Sequence, residues 1–183
     1  MQSVTIQTVI NEFSTWLSKF DNVFLVAHNG RRFDFPVLVS ACVSCGLYDT
    51  LISNVTGLVV SLWTFKTVCP NQSSYKQEDL ARSILSKEYD AHDAIDDVKI
   101  LYELLSHLIV FDHKCLIMKS FTLNDIKHSM DSKKEKSKDS CHSIFVSWNP
   151  QLQKILQGLV WILSTWRQYS IVKEKIDLSM SSL

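Results

Sequence analysis

Acidic and histidine side chains are concentrated in two short segments, the first of which spans 27–36. There, Asp34 follows an apolar run and a glycine turn, and it falls within the first turn of the next helical pattern. In open α/β sheets, ligands bind beyond the carboxyl ends of strands, which is where Asp34 is expected to lie. A carboxylate at a helix start is also stabilised by the helix dipole, so a simple capping role is the alternative.

The second segment, 89–98, contains four acids and one histidine. On a single helix, positions 92 and 97 would be about 140° apart at about 100° per residue. We therefore expect His92 on the loop before a helix, Asp93 as the cap and Asp97 near the end of the first turn. A histidine beside a metal-bound carboxylate can act as a general base, because its pKa lies near neutrality. The alternatives are acids that complement the helix dipole and a surface imidazole.

The elements that must position these residues alternate between helix and strand. Apolar spacing, caps and turn residues predict a helix over 6–20, a buried strand over 23–27, a helix over 33–45 that ends at Gly46, a strand and loop over 57–70, a helix after a capping-box pattern at 74–77, and a helix that begins after Asp93. This alternation predicts an α/β layer fold with a parallel portion of sheet. Because two strands cannot make such a sheet alone, further strands or a partner chain are expected to complete it.

Together, the two segments form a more specific pattern than either alone. Strand-His-Asn-Gly-x-x-Phe-Asp-helix ends at Asp34, and His-x-Ala-x-x-Asp-Val follows at His92–Val98. This pattern resembles the DEDDh 3′→5′ exonuclease family of the ribonuclease-H-like superfamily. The resemblance covers roughly residues 4–110, and the intermediate stretch Leu62–Leu80 shares it. The nearest resemblance is to exonuclease-like domains of transposon-associated proteins and of the C-terminus of a promyelocytic leukaemia protein isoform.

The resemblance implies two-metal hydrolysis of phosphodiesters at DNA or RNA 3′ ends, with Mg²⁺ or Mn²⁺ as cofactor. It implies that Asp34 helps to hold one ion, that Asp97 ligates the other, and that His92 deprotonates the attacking water. It also implies that Asn29 and Phe33 shape the pocket for the terminal nucleotide.

Arg31 and its neighbour Arg32 could contact phosphates, and a solvated pair is the alternative. The formal net charge is zero, so nucleic-acid binding must be local or carried by metal ions.

The sequence departs from the family in its first motif, because it contains no Asp-x-Glu. We expect a chain truncated before its first helix, a partial ribonuclease-H-like fold with an incomplete mixed sheet flanked by helices, and impaired catalysis. The apolar strand at 23–27 would then expose an edge to which a partner chain could add. The alternative function is a non-catalytic nucleic-acid-binding or protein-interaction remnant of a mobile-element-derived gene.

The expected organisation is an exonuclease-like domain at 1–110, a partly disordered linker at 111–147 and an irregular, weakly helical tail at 148–183. Codons exist for 156–169 that, read in a shifted frame, encode a segment resembling one downstream of such domains, so we hypothesise a frameshifted tail. No signal peptide is evident, and the most apolar late stretch is too short to span a bilayer. These features predict an intracellular protein of the nucleus or cytoplasm with no membrane partner.

Overall fold

The computed structural model describes residues 5–91, 93–109 and 118–136. Within these ranges the chain is a mixed α/β fold of seven helices and a two-stranded parallel sheet, which confirms the predicted fold class. The elements are α1 (Ile6–Leu17), β1 (Phe24–Ala27), α2 (Asp34–Ser44), α3 (Tyr48–Asn54), β2 (Gly57–Val60), α4 (Ser61–Val68), α5 (Gln77–Leu85), α6 (Ala94–Ile109) and α7 (Leu123–Lys136).

The sheet is buried on both faces, as its continuous apolar strands predict. β1 and β2 pair in parallel, with Phe24 opposite Gly57 and Ala27 opposite Val60. Because side chains alternate along a strand, Leu25 and Leu58 enter one core with α1, α2, α3 and α7. Val26 and its neighbour on β2 enter a second core with α5 and α6. The result is a three-layer arrangement with helices on each face of the sheet.

The two edges of the sheet differ. On the β2 side, Leu58 and Phe121 exchange backbone N–H···O bonds of 2.8 and 3.1 Å as an antiparallel bridge, which makes the pairing mixed. On the β1 side, the backbone groups of Phe24 and Val26 point away from β2, because alternate residues in parallel pairing face opposite edges. No strand in the described ranges pairs with that edge.

The predicted strand over 57–68 is wrong after Val60, because β2 ends there and α4 begins at Ser61. The rich content of aromatic and β-branched residues favours a strand by propensity alone. The buried residues of α4, however, are Ser61, Thr64 and Phe65, which follow helical spacing. Two of these core positions carry hydroxyls, so the helical period is hidden in the apolar pattern.

The segment 111–147, expected to be a partly disordered linker, contains the packed helix α7 at Leu123–Lys136, so a disordered linker is wrong for that part. Leu123 and Ile126 are buried in the core beside α2. Thr122 and Asp125 cap the helix reciprocally: the Thr122 N–H donates to Asp125 Oδ2 at 2.7 Å, and the Asp125 N–H donates to Thr122 Oγ1 at 3.2 Å. Its charged outer surface gave the sequence its linker-like composition.

Some predictions fall outside the described residues. His92, the stretches at 111–117 and 137–147, and the whole tail with its proposed frameshift at 156–169 belong to this group. Within the described ranges, none of the helices combines the length and the apolar character needed to cross a bilayer.

Candidate active site at the carboxyl end of the sheet

The two strands end side by side, and the residue after each one is hydrogen-bonded to the other. His28 follows β1, Ser61 follows β2, and His28 Nδ1 lies 3.0 Å from Ser61 Oγ. His28 Nε2 lies 2.7 Å from the Tyr75 carbonyl oxygen. Because a carbonyl oxygen only accepts, Nε2 carries the proton, and in the neutral ring Nδ1 accepts from the Ser61 hydroxyl. Burial lowers the pKa of His28, which favours this neutral form.

The turn after β1 brings Asp34 to the first position of α2, as predicted. The Phe35 N–H donates to the Gly30 carbonyl at 2.9 Å, and the Phe35 ring is fully buried beneath the turn. A Cβ on Gly30 would lie 2.5 Å from the Phe35 ring and 2.7 Å from Ala27 Cβ. Only glycine therefore fits, and the close approach fixes the path of the chain toward Asp34.

The start of α6 also matches the prediction from helix geometry. Asp93 Oδ1 accepts from the Asp96 N–H at 3.3 Å, and the Asp97 N–H donates to the Asp93 carbonyl at 2.8 Å. Asp93 is thus the cap, and Asp97 lies in the first turn. Asp96 instead pairs with Lys99 at 2.9 Å on the surface.

Asp34 and Asp97 come from different helices and interact electrostatically. Burial raises the pKa of Asp34, and the negative charge of Asp97 raises it further. The negative charge of Asp97 also raises the pKa of His28, which burial lowers. Asp97 therefore acts electrostatically on both Asp34 and His28. Neither carboxylate pairs with a described cation.

Two residues that the sequence did not single out for this site hold Asp97 from the side of α5. The Gln77 side-chain amide donates to the Asp97 carbonyl at 2.6 Å and lies 3.3 Å from the Tyr89 hydroxyl. Burial raises the pKa of Tyr89, and a hydrogen bond between its hydroxyl and the Asp97 carboxylate raises it further. Tyr89 is therefore protonated at neutral pH and serves as a hydrogen-bond donor.

The predicted capping box at 74–77 is wrong, because α5 begins at Gln77 after a Lys76 cap position. The Ser74 hydroxyl accepts from the Lys76 N–H at 3.2 Å, within the loop. The Gln77 side chain points to α6 instead of turning back along its own helix. A glutamine in a capping pattern gives no signal of such a distant partner. The sequence likewise gives no signal that Ser61 is hydrogen-bonded to His28.

The three predicted substrate contacts lie on or beside the 28–33 turn. Asn29 is exposed, and its carbonyl accepts from the Arg32 N–H at 3.0 Å. Phe33, immediately before Asp34, is 51% exposed. Arg31 extends over the rings of Trp63 and Phe121, with its guanidinium carbon 5.7 and 5.1 Å from their centroids. Phe33 therefore directly precedes Asp34 and Asn29 lies earlier on the same turn, whereas Arg31 is held by aromatic rings.

Comparison with models of protein families shows which family the chain belongs to. A family model described as Exonuclease, of the RNase T type, matches residues 3–105, more than half of the chain. The chain belongs to the RNase T exonuclease family. Neither the curated proteins nor the solved structures gave a significant match. RNase T exonucleases act on nucleic acids and generally use divalent metal ions, which supports a nuclease-like function in general.

The carboxylates of this RNase T family member can be tested against the needs of a metal ion. Mg²⁺ is commonly held by one or two carboxylates together with water and substrate phosphate. Asp34 and Asp97 meet that requirement in number, since both are acidic, they interact electrostatically, and neither forms an ion pair with a described cation. In the described ranges no group of three or more metal-binding side chains occurs. Within the part of the chain that the structure describes, the donor set fits one divalent cation and is too small for two.

Proposed function

We propose that this chain is a 3′→5′ exonuclease-type domain that engages the 3′ ends of DNA or RNA and hydrolyses phosphodiesters slowly. The observation that supports this best is the electrostatic interaction of Asp97 with Asp34, which lies beyond the carboxyl end of β1 in the parallel sheet. Ligands collect at this edge of α/β sheets. A partly buried carboxylate beside a second negative charge, without a cationic partner among described residues, is suited to binding a cation.

Asp34 and Asp97 would hold the divalent cation, Mg²⁺ or Mn²⁺, between them. When bound, such a cation neutralises charge on a phosphoryl group and lowers the pKa of bound water. Gln77 and Tyr89 fix the position of Asp97 through its carbonyl and its carboxylate. The two-ion arrangement expected from the sequence needs carboxylates beyond this pair, and we propose slow hydrolysis for that reason.

The remaining roles follow from where the side chains lie. The exposed Phe33 ring can stack on the terminal base, and the exposed Asn29 lies on the same turn. His92, which lies outside the described residues, remains our proposed general base. The neutral His28 is unsuited to that role, because both of its ring nitrogens are engaged by Ser61 and Tyr75. It positions the strand ends and the loop before α5.

We also propose that a strand of a partner chain completes the sheet at β1. The N–H and C=O groups of Phe24 and Val26 face that edge, and Val26 is buried between layers. A strand buried on both faces ordinarily has neighbours on both sides, which supports the addition of a strand there. The expected compartment, nucleus or cytoplasm, remains a prediction.

A second candidate function is non-catalytic binding of nucleic acid or protein. The small donor set favours it, since the described residues contain no group of three or more side chains that could hold a metal ion. The two candidates differ in cation binding. A binding remnant has no need of a cation between Asp34 and Asp97, whereas the nuclease requires one.

Electron paramagnetic resonance of Mn²⁺ titrated with the full chain tests the proposal, because bound Mn²⁺ loses its free-ion signal. We expect about one bound ion per chain. Asp97→Asn should abolish this binding, and Asp96→Asn, one residue away in the same helical turn, should retain it. Equal binding by both variants, or none by the unmodified chain, would rule out the proposed cation site.

A further inference from the structure

A second surface, beside the site, combines cations with aromatic rings. On α4, Trp63, Lys66 and Thr67 are spaced three and four residues apart, so they share one helix face. Arg31 flanks this face at Trp63, and Lys119 flanks it through a hydrogen bond to the Thr67 hydroxyl. We call these five residues the basic–aromatic face.

The cations of this face are supported by uncharged groups. Arg31 lies over Trp63 and Phe121, and Lys66 Nζ lies 5.8 Å from the centroid of the Tyr75 ring. Among the described residues, the ion pairs use other cations: Arg82, Lys87, Lys99 and Lys127. The positive charges of Arg31, Lys66 and Lys119 therefore remain available to an anionic partner, and all three side chains are exposed.

Among the described acids, Asp125 interacts electrostatically with Arg31. The pKa of Asp125 is lowered mainly by hydrogen bonds from Thr122, with a smaller contribution from Arg31. Asp125 is held at the start of α7 by those bonds, and it forms no ion pair with Arg31. It reduces the local positive potential without occupying the guanidinium.

The face is continuous with the candidate active site. Arg31 lies on the turn that connects His28 to Asp34, and Lys66 covers the ring of Tyr75. The carbonyl of that same Tyr75 receives the hydrogen bond from His28. A single strand of nucleic acid lying along α4 would thus pass from the exposed cations to the turn that carries Asp34.

We propose that the basic–aromatic face binds single-stranded nucleic acid, with Arg31, Lys66 and Lys119 on phosphates and Trp63 stacked on a base. Single strands are bound by this combination, because cations follow the backbone and every base offers a π-face. Binding of nucleic acid is argued from the face itself. The direction of the bound nucleic acid, with its 3′ end toward Asp34, rests on the proposed function.

Fluorescence anisotropy with labelled oligothymidylate tests the face in buffer containing EDTA, where no hydrolysis takes place. Lys66→Ala and Lys119→Ala should each weaken binding and lower the salt dependence of log K by about 0.7, the value for one phosphate contact on a single strand. Trp63→Ala should raise Kd roughly 5- to 100-fold. Because Trp63 also packs against the core, the two exposed lysines carry the decision if that variant does not fold.

Lys87→Ala is the matched control, since it removes one positive charge from the ion pair with Glu103 on the α5–α6 side. It should leave Kd within about twofold of the unmodified chain, as expected of a non-contacting surface residue. Equal weakening of binding by Lys87→Ala, or unchanged binding by the Lys66 and Lys119 variants, would contradict nucleic-acid binding at the basic–aromatic face. A parallel titration with oligouridylate separates RNA from DNA preference.

The outcome is independent of hydrolysis. If binding depends on Lys66 and Lys119 but the chain has no nuclease activity, nucleic-acid binding at the face is supported and the catalytic proposal is rejected. Hydrolysis that depends on Asp97, with binding indifferent to both lysines, keeps the catalytic proposal and rejects the face.

Discussion

The hydroxyl of Ser61 donates a hydrogen bond to Nδ1 of His28, across 3.0 Å, and so joins the ends of the two strands. The other ring nitrogen of His28 donates to the Tyr75 carbonyl in the loop before α5. Gln77, two residues further on, binds the Asp97 carbonyl. A chain of short contacts therefore runs from β2 to the start of α6, and the position of Asp97 depends on groups outside its own helix.

The His28 contacts should be needed for stability. His28→Ala leaves the Tyr75 carbonyl and the Ser61 hydroxyl without their partner, which should cost roughly 1–3 kcal/mol of unfolding free energy. Ser61→Ala removes a single bond and should cost about 1 kcal/mol. Urea unfolding measures both. Ser44→Ala, an exposed serine bonded only to its own helix, is the control, and a cost for His28→Ala no larger than this control would contradict the network.

The same histidine should make stability depend on pH. Burial lowers the pKa of His28 below its ordinary 6.5, so the unfolded chain binds its proton more tightly. The contribution of the neutral ring is complete above about pH 6.5 and is lost as the pH falls through the lowered folded-state pKa. Unfolding free energies measured across this window should fall more for the unmodified chain than for His28→Gln. Parallel curves would show that His28 does not titrate on unfolding.

Replacement of Asp34 by asparagine should stabilise the metal-free chain near neutral pH. Burial raises the pKa of Asp34, so the stabilising influence of its protonated form is complete below the ordinary value of 3.8 and is lost as the pH rises through the raised folded-state pKa. The neutral amide avoids the cost of the buried charge. Thermal unfolding in EDTA should show a higher Tm for Asp34→Asn than for the unmodified chain. Added Mg²⁺ should raise the Tm of the unmodified chain and leave that of Asp34→Asn unchanged.

Asp49→Asn is the comparison for this effect, because Asp49 is exposed in the first turn of α3. Its loss should destabilise by about 0.3–1 kcal/mol, through the helix dipole. If both substitutions lower the Tm, Asp34 is an ordinary helix-start acid and its proposed role as a cation ligand loses its support.

Gly30→Ala should disturb both stability and the candidate site. The added methyl would collide with the buried Phe35 ring and with Ala27, which should cost roughly 1–3 kcal/mol. The displaced turn should also weaken Mn²⁺ binding at Asp34. Gly46→Ala should cost about 1 kcal/mol through its positive φ of 66°, and it should leave Mn²⁺ binding unchanged. Mn²⁺ binding by Gly30→Ala equal to that of Gly46→Ala would contradict the role of the turn.

The sequence predicts the positions of Asp34 and Asp97 because their signals are local. A buried strand, a glycine turn and a capping aspartate all lie within a few residues of these acids. The partners of Asp97 are not predictable in this way, since Gln77 acts across 20 positions and belongs to another helix. Long-range hydrogen bonds depend on packing, which leaves no pattern in a single sequence.

The errors in α4 and in α7 share a physical cause. In α4 the inward positions include Ser61 and Thr64, so polar residues fill core sites and obscure the helical period. In α7 only a few apolar residues, such as Leu123 and Ile126, face the core among many charges. Tertiary contacts thus override local composition in both segments.

Digestion of a 5′-labelled single strand by the full chain tests the proposed function most directly. In Mg²⁺ we expect a slow, stepwise ladder of products shortened from the 3′ end, which disappears in EDTA and in the Asp97→Asn variant. Asp96→Asn, whose side chain pairs with Lys99 on the surface, should keep the ladder. Absence of any ladder with the unmodified chain, or a ladder that persists in Asp97→Asn, would contradict a nuclease centred on Asp34 and Asp97.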